Sequence, residues 1–156
     1  MEKRVFFVTT ATWQHRPIFQ NDELARELLS TLLESRAEGR FTLHEFVIMP
    51  DHLHLLLTPA MALSLERAMQ FVKGGFSYRV GKLRPNLMIW QKSFTNHRIR
   101  DERDYVKHRE YIHSNPVRRH LALVASEFPY SSAHLGFELD PSPFSTAAKA
   151  ASDSKL

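Results

Sequence analysis

The sequence has no cysteine and no apolar run approaching the roughly 18–20 residues of a membrane-spanning helix. The missing cysteine excludes disulfides and thiolate zinc sites, so any metal has to be held by nitrogen and oxygen ligands. The first residues, MEKRVFFVTTATWQ, enter strand-like sequence at once, with no apolar segment leading to a cleavage site. The chain is therefore expected to be soluble and unexported, with no membrane partner. No internal repeat and no second compositional unit is visible. At 156 residues the chain fits one domain, since chains of this size bury roughly 68–70% of their unfolded surface.

What is present is an uneven distribution of charge. The formal net charge is only +4, yet 13 of the 21 Lys and Arg residues lie between Arg67 and Arg119, with 4 of the 17 acidic residues. In that segment cations alternate with aromatics, as in KGGFSYRVGKLR and IWQKSFTNHRIRDERDYVKHR. Such a mixture suits phosphates and unstacked bases, and it also suits a plain solvated basic face. If the partner is a polyanion, the residues expected to touch its phosphates are Lys73, Arg79, Lys92, Arg98, Arg100, Lys107, Arg118 and Arg119.

Arg4–Trp13 is rich in β-branched and aromatic residues and reads as a strand. From Asn21 to Gly39, Leu24, Leu28, Leu29, Leu32 and Leu33 recur at helical spacing, with Asn21 or Asp22 to cap the start and Gly39 to end it. Phe41–Met49 and His52–Thr58 read as a hairpin joined at Pro50–Asp51. Ser64 can cap a second helix with Leu65, Met69, Val72 and Phe76 on one stripe. Its Gly74–Gly75 pair, each costing about 1 kcal/mol in a helix, suggests a kink or a close approach to a ligand. Leu87–Ile99 reads as a fourth strand, and Asp101–Asn115 as a third helix stopped by Pro116. The order β-α-β-β-α-β plus a helix predicts an α+β, ferredoxin-like sandwich, with two helices on one sheet face and the other face free for ligand. Residues 1–136 make up the expected domain, and 137–156 have little to bury and are expected to form a disordered tail.

Within IMPDHLHLLLTP, His52 and His54 share one face of a strand while Leu53, Leu55 and Leu57 share the other. Two imidazoles aimed at one locus can hold a divalent ion; they can equally be hydrogen-bonded side chains at a strand end. In YIHSNP, Tyr111 and Asn115 are four residues apart and lie on one helix face. The Asn115 amide oxygen beside the two imidazoles would complete a mixed nitrogen and oxygen set compatible with Mg2+ or Mn2+, leaving positions open for a phosphate oxygen. Tyr111 would then stand next to a metal-bound phosphate as a nucleophile, with Lys107 one turn earlier to favour the phenolate. The plainer alternative is a tyrosine packing its ring on the sheet. Tyr105 competes as nucleophile, but its partner four residues on is Arg109, which is no ligand. His44, His97, His108 and His113 lack comparable spacing and read as surface or phosphate-contacting groups.

The stretches FVIMPDHLHLLLTP, WQKSFTNHRIRDERDYVKHREYIHSNPVRRHLA and FPYSS resemble the REP-associated tyrosine transposases, a bacterial branch of the single-tyrosine HUH transposase superfamily. The resemblance runs from about Arg4 to Ser132 and rests on a His-hydrophobic-His strand followed by a Tyr-Ile-x-x-Asn-Pro helix. It implies that His52 and His54 hold a divalent metal, with the third polar ligand at Asn115, and that Tyr111 attacks a DNA phosphate. The implied activity is cleavage and rejoining of single-stranded DNA in hairpin repeats through a covalent 5′-phosphotyrosine. It further implies a monomer with its site completed in cis, although dimers exist in the wider superfamily, and a bacterial cytoplasmic protein found at the nucleoid when bound to DNA. Two positions depart from the pattern: Asn96 stands where an acidic residue is more usual, and His120 where glycine often stands. A non-catalytic single-strand-binding module, or a metal-dependent phosphoesterase using water and leaving Tyr111 idle, are the competing readings.

Overall fold

The structure is a computed structural model that describes residues 3–144. Its main elements run β1 (Phe6–Ala11), α1 (Asp22–Ala37), β2 (Phe41–Met49), β3 (His52–Pro59), α2 (Leu65–Leu83), β4 (Thr95–Arg98) and α3 (Glu102–Arg118). The sheet order is β2-β3-β1-β4 with every neighbouring pair antiparallel, which is the ferredoxin-like arrangement that the element order predicts. No helix among the described residues is long and apolar enough to cross a membrane.

Strand alternation divides the side chains between two layers. Val8, Leu53, Leu55 and Leu57 meet Leu28, Leu32, Met69, Val72 and Phe76 of α1 and α2 in the larger core. Full burial of each such aliphatic or aromatic side chain contributes roughly 1.5–3 kcal/mol. Val5, Val47, Met49 and Leu56 point the other way and pack with Ile99, Tyr105 and Ile112 in a smaller core under α3. Phe41 and Leu43, at odd positions of β2, and Phe46 and Ile48, at even ones, all face the larger core. A bulge between Leu43 and Glu45 reverses the parity of the strand. The extra residue, His44, is buried; its Nδ1 donates to the Asp140 carbonyl and its Nε2 accepts from Thr58 Oγ1.

Side-chain caps start each helix, the first two at positions named from the sequence. Asn21 accepts from the Leu24 N–H, Ser64 from Arg67 and Asp101 from Asp104. The glycine pair does not interrupt α2, and the close approach is to α1 rather than to a ligand: a Cβ on Gly75 would lie 3.2 Å from Thr31 Cγ2.

Several boundaries differ from the sequence reading. The fourth strand is confined to Thr95–Arg98, because the register against β1 shifts between the Thr9–Thr95 pair and the isolated bridge from Thr12 to Trp90, leaving the residues between Trp90 and Thr95 out of the ladder. The Trp90 indole packs 5.7 Å from both the Phe19 and Phe76 rings, its N–H on the Lys73 carbonyl. Helix α3 does not stop at Pro116 but continues to Arg118. It ends in a Schellman pair, Leu121 N–H to Pro116 O at 2.8 Å and His120 N–H to Val117 O at 3.1 Å, with His120 at a left-handed φ of 60°. The second sheet face is not free along its length, since α3 covers part of it. Residues 137–144, expected in a disordered tail, instead pack on the domain: Phe137 and Leu139 lie against the larger core, Phe144 against the smaller, and Asp140 pairs with Arg36 at 2.9 and 3.0 Å. The rest of that tail lies outside the described residues.

Candidate active site

His52 and His54 open β3 on the face that carries α3, and their ring centroids are 4.6 Å apart. Each ring is fixed through Nδ1, His52 on Asp51 Oδ1 at 2.7 Å and His54 on Thr9 Oγ1 at 2.8 Å. That leaves Nε2 on both rings as the ligand atom, and a partner on the second nitrogen is what orients metal-binding imidazoles. Burial above all, then His52 and the nearby Arg118 and Arg119 guanidinium groups, push the His54 imidazole down to about 3. It is neutral at physiological pH, the form that can donate to a cation.

Helix α3 brings Tyr111 onto the same patch. Its ring lies 5.3 Å from that of His54 and 6.0 Å from Phe7, with the Arg118 guanidinium 4.5 Å over its face. Tyr111 is 41% exposed and, with Lys107, Phe7, His108, Glu110 and Ser114, lines an open cavity of about 440 Å³. Asn115, one turn on, is buried, and its Nδ2 has no hydrogen-bond partner among the described residues. Turning that amide over exchanges its nitrogen for oxygen and presents an acceptor where the orphaned donor stands.

The other tyrosines are occupied differently. Tyr105 is 3% exposed in the smaller core, and its hydroxyl is pushed above its ordinary range, chiefly by burial. Tyr130 donates to Asp22 at 2.8 Å, and Tyr78 lies under Lys82 on α2.

The basic residues separate into groups. Arg100, Lys107, Arg118 and Arg119 are exposed on or beside α3, Arg119 lining a smaller cavity with His15 and Asp51. Lys92 is exposed ahead of β4, and Arg98 donates to the Lys3 carbonyl at the sheet edge. Lys73 and Arg79 do not come to the site. They belong to α2 on the opposite layer, where Lys73 donates to Gln91 O at 3.0 Å and Arg79 pairs with Glu34 and, at 3.9 Å, Glu27 of α1.

The remaining histidines are not simply surface groups. His44 is the bulge residue, and burial lowers its pKa. His113 bonds Glu45. His97 and His108 flank Asp104: His97 Nε2 lies 2.8 Å from its Oδ2, while His108 Nδ1 donates to the Asp104 backbone carbonyl at 2.8 Å and stands 3.3 Å from Oδ1, leaving Nε2 as its free nitrogen, with the two rings stacked 4.8 Å apart. Burial opposes ionisation of Asp104, but the Arg100 N–H and the His97 imidazole outweigh it and hold the carboxyl below its usual range. Asp104 and His108 were readable as a pair four residues apart on one helix; His97 joins them across the short turn between β4 and α3, an approach that the period of neither element marks.

The paired strand histidines and the helix tyrosine, on this fold, define a class. The profile of the family described as Transposase IS200 like matches residues 5–115, and the chain belongs to that family. Its relatives are of the REP-associated tyrosine transposase type that the motifs resemble. It is 26% identical over 142 residues to the REP-associated tyrosine transposase of Escherichia coli, a match covering 85% of this chain and 82% of that one. A Haemophilus influenzae protein that carries the same name provisionally is 34% identical over 98 residues, 56% of each chain. A solved REP-associated tyrosine transposase bound to a REP hairpin has the same fold, with a TM-score of 0.72, 20% identity and 92% of both chains covered.

Proposed function

We propose that this transposase cleaves and rejoins single-stranded DNA beside hairpins, with Tyr111 as the nucleophile and His52, His54 and Asn115 as ligands of a divalent metal. The observation that carries the reading is the 5.3 Å approach of the Tyr111 and His54 rings, from separate elements of one chain. The donor set fits the cation: two imidazoles anchored through Nδ1, one of them held neutral, and a buried amide with an unsatisfied atom. The two imidazoles on their own favour a transition ion; it is the amide oxygen together with the phosphate and water oxygens of the bound substrate that makes the set compatible with Mn2+ or Mg2+. Bound there, such an ion would supply Lewis-acid polarisation of a non-bridging phosphate oxygen.

The chain's own residues account for the rest. Tyr111 Oη forms a bond to phosphorus as the bond from phosphorus to the 3′ oxygen breaks, in line with it. The phenolic proton is lost, and the departing 3′ oxygen takes one up. The product is a 5′-phosphotyrosine and a free 3′ hydroxyl. Attack by another 3′ hydroxyl reverses the step and joins strands without a nucleoside triphosphate. Arg118 over the ring and Lys107 in the same cavity place positive charge beside the developing phenolate and the phosphate. With both site elements supplied by one chain, a monomer suffices for this chemistry. The hairpin bound to the solved relative supports the same substrate class here.

The test is incubation of labelled single-stranded hairpin DNA with the protein and Mg2+ or Mn2+, followed by denaturing separation. A denaturation-resistant protein–DNA band is expected. The His52→Ala/His54→Ala variant should lose the band while retaining hairpin affinity within a few-fold, since phosphate contacts position the DNA independently of the chemistry. Binding without an adduct in the wild type would favour a non-catalytic module.

A further inference from the structure

We propose that His97, Asp104 and His108 form a second metal site, for a transition-metal ion of the zinc class, that clips β4 to the first turns of α3. One ligand atom from each residue lies within 4.8 Å of the others. The donors come from consecutive elements, β4 and α3, joined through residues 99–101. Zinc takes imidazole nitrogen and carboxylate oxygen at about 2.0–2.2 Å, so a modest swing of the His97 ring closes the set. His97 has the freedom to make it, its side chain being 40% exposed. Asp104, 5% exposed, is held still by the Arg100 N–H at 3.0 Å.

Two imidazoles and one carboxylate favour zinc, cobalt or nickel over magnesium, whose preferred donors are oxygens. The site is separate from the one around His52 and His54. The Phe7 ring stands between them, 5.2 Å from His54 on one side and 4.7 Å from His108 on the other. β4 is a four-residue edge strand, and His108 is three residues before Tyr111. Occupancy would therefore fix the tyrosine helix to the sheet edge, and the ion would act on the reaction only through that placement.

The experiment uses the full-length His52→Ala/His54→Ala chain, stripped of metal, so that binding at those histidines cannot contribute. Titration with Zn2+ by calorimetry, and with Co2+ followed by visible absorption, should show one equivalent bound and a raised Tm. Adding His97→Ala should weaken that binding at least tenfold and abolish the Tm rise. In the wild type, the ring nitrogen resonances of His97 and His108 should move together on adding Zn2+, a readout that does not require the triple variant to fold. No zinc bound by the double variant, equal binding after His97→Ala, or shifts confined to other histidines would each overturn the site. Loss of the DNA adduct in the double variant bears only on the His52 and His54 assignment.

Discussion

Replacing Tyr111 by phenylalanine removes one oxygen and leaves every ring contact available: His54 at 5.3 Å, Phe7 at 6.0 Å and the Arg118 guanidinium at 4.5 Å. The residue is 41% exposed, so the substitution belongs with surface changes, worth about 0.5 kcal/mol or less. For a chain of this length that is a Tm shift of at most about 2 °C. The effect on chemistry is of another order, since losing the nucleophile of a covalent mechanism costs on the order of 10⁶ in rate. Fold, hairpin affinity and metal binding should therefore match the wild type while the covalent band vanishes. The assay is denaturing electrophoresis of labelled hairpin DNA after incubation with metal, with peptide mass mapping of the wild-type adduct and a melting curve for each variant. Tyr105→Phe is the control, expected to lose stability but keep the adduct. An adduct that persists in Tyr111→Phe, or that maps to Tyr105, Tyr78 or Tyr130, would refute the assignment and with it the pairing of α3 with the histidines.

Hairpin affinity should fall steeply with salt, and Arg118→Ala/Arg119→Ala should flatten the logarithmic slope by about 1.4, at roughly 0.7 for each single-strand phosphate left without its arginine; Lys73→Ala and Arg79→Ala should leave it unchanged. His120→Gly should stabilise the protein by about 1 kcal/mol, measured by urea unfolding, because glycine takes the left-handed conformation that ends α3 without steric cost. Stability should decline as pH falls below about 6.5. Burial lowers the pKa of His44 in the folded chain, so the unfolded chain binds the proton first and the contribution of His44, complete above its ordinary pKa, is lost on acidification. His44→Asn, which can keep a donor toward the Asp140 carbonyl, should reduce the dependence of Tm on pH below about 6.5; an unchanged slope would mean that other groups carry it.

The ferredoxin-like order was legible because its periods are clean. Leu24, Leu28 and Leu32 mark α1, and the alternation from His52 to Leu57 marks both faces of β3. Local spacing placed His54 and Tyr111 on their own elements, and their approach was expected only from the resemblance of the two motifs to the transposase family. The break in the fourth strand was not legible, since the shift of register between the Trp90 bridge and Thr95 is set by the pairing with β1, which no local pattern encodes. Pro116 misled because a proline forfeits one helical hydrogen bond but does not forbid the next turn when the packed helix has reason to continue. Arg79 looked like a phosphate ligand until α1 supplied Glu27 and Glu34. Sequence distance likewise hid the join between Asp140 and Arg36.

The bulge at His44 makes β2 unusually forgiving of a shorter chain at one point. Leu43 stands opposite Leu57 and Glu45 opposite Leu56, so deleting the His44 codon would close the gap without moving either partner. Phe41, Leu43, Phe46 and Ile48 would then alternate strictly and keep the face that fills the larger core, at the cost of the hydrogen bonds to Asp140 and Thr58. Deleting Val47 instead would set Phe46 beside Ile48, on opposite faces, and one of the two would leave the core. A library of single-codon deletions should accordingly find position 44 among the more tolerant in the strand, whereas a substitution library would rank it with ordinary buried residues.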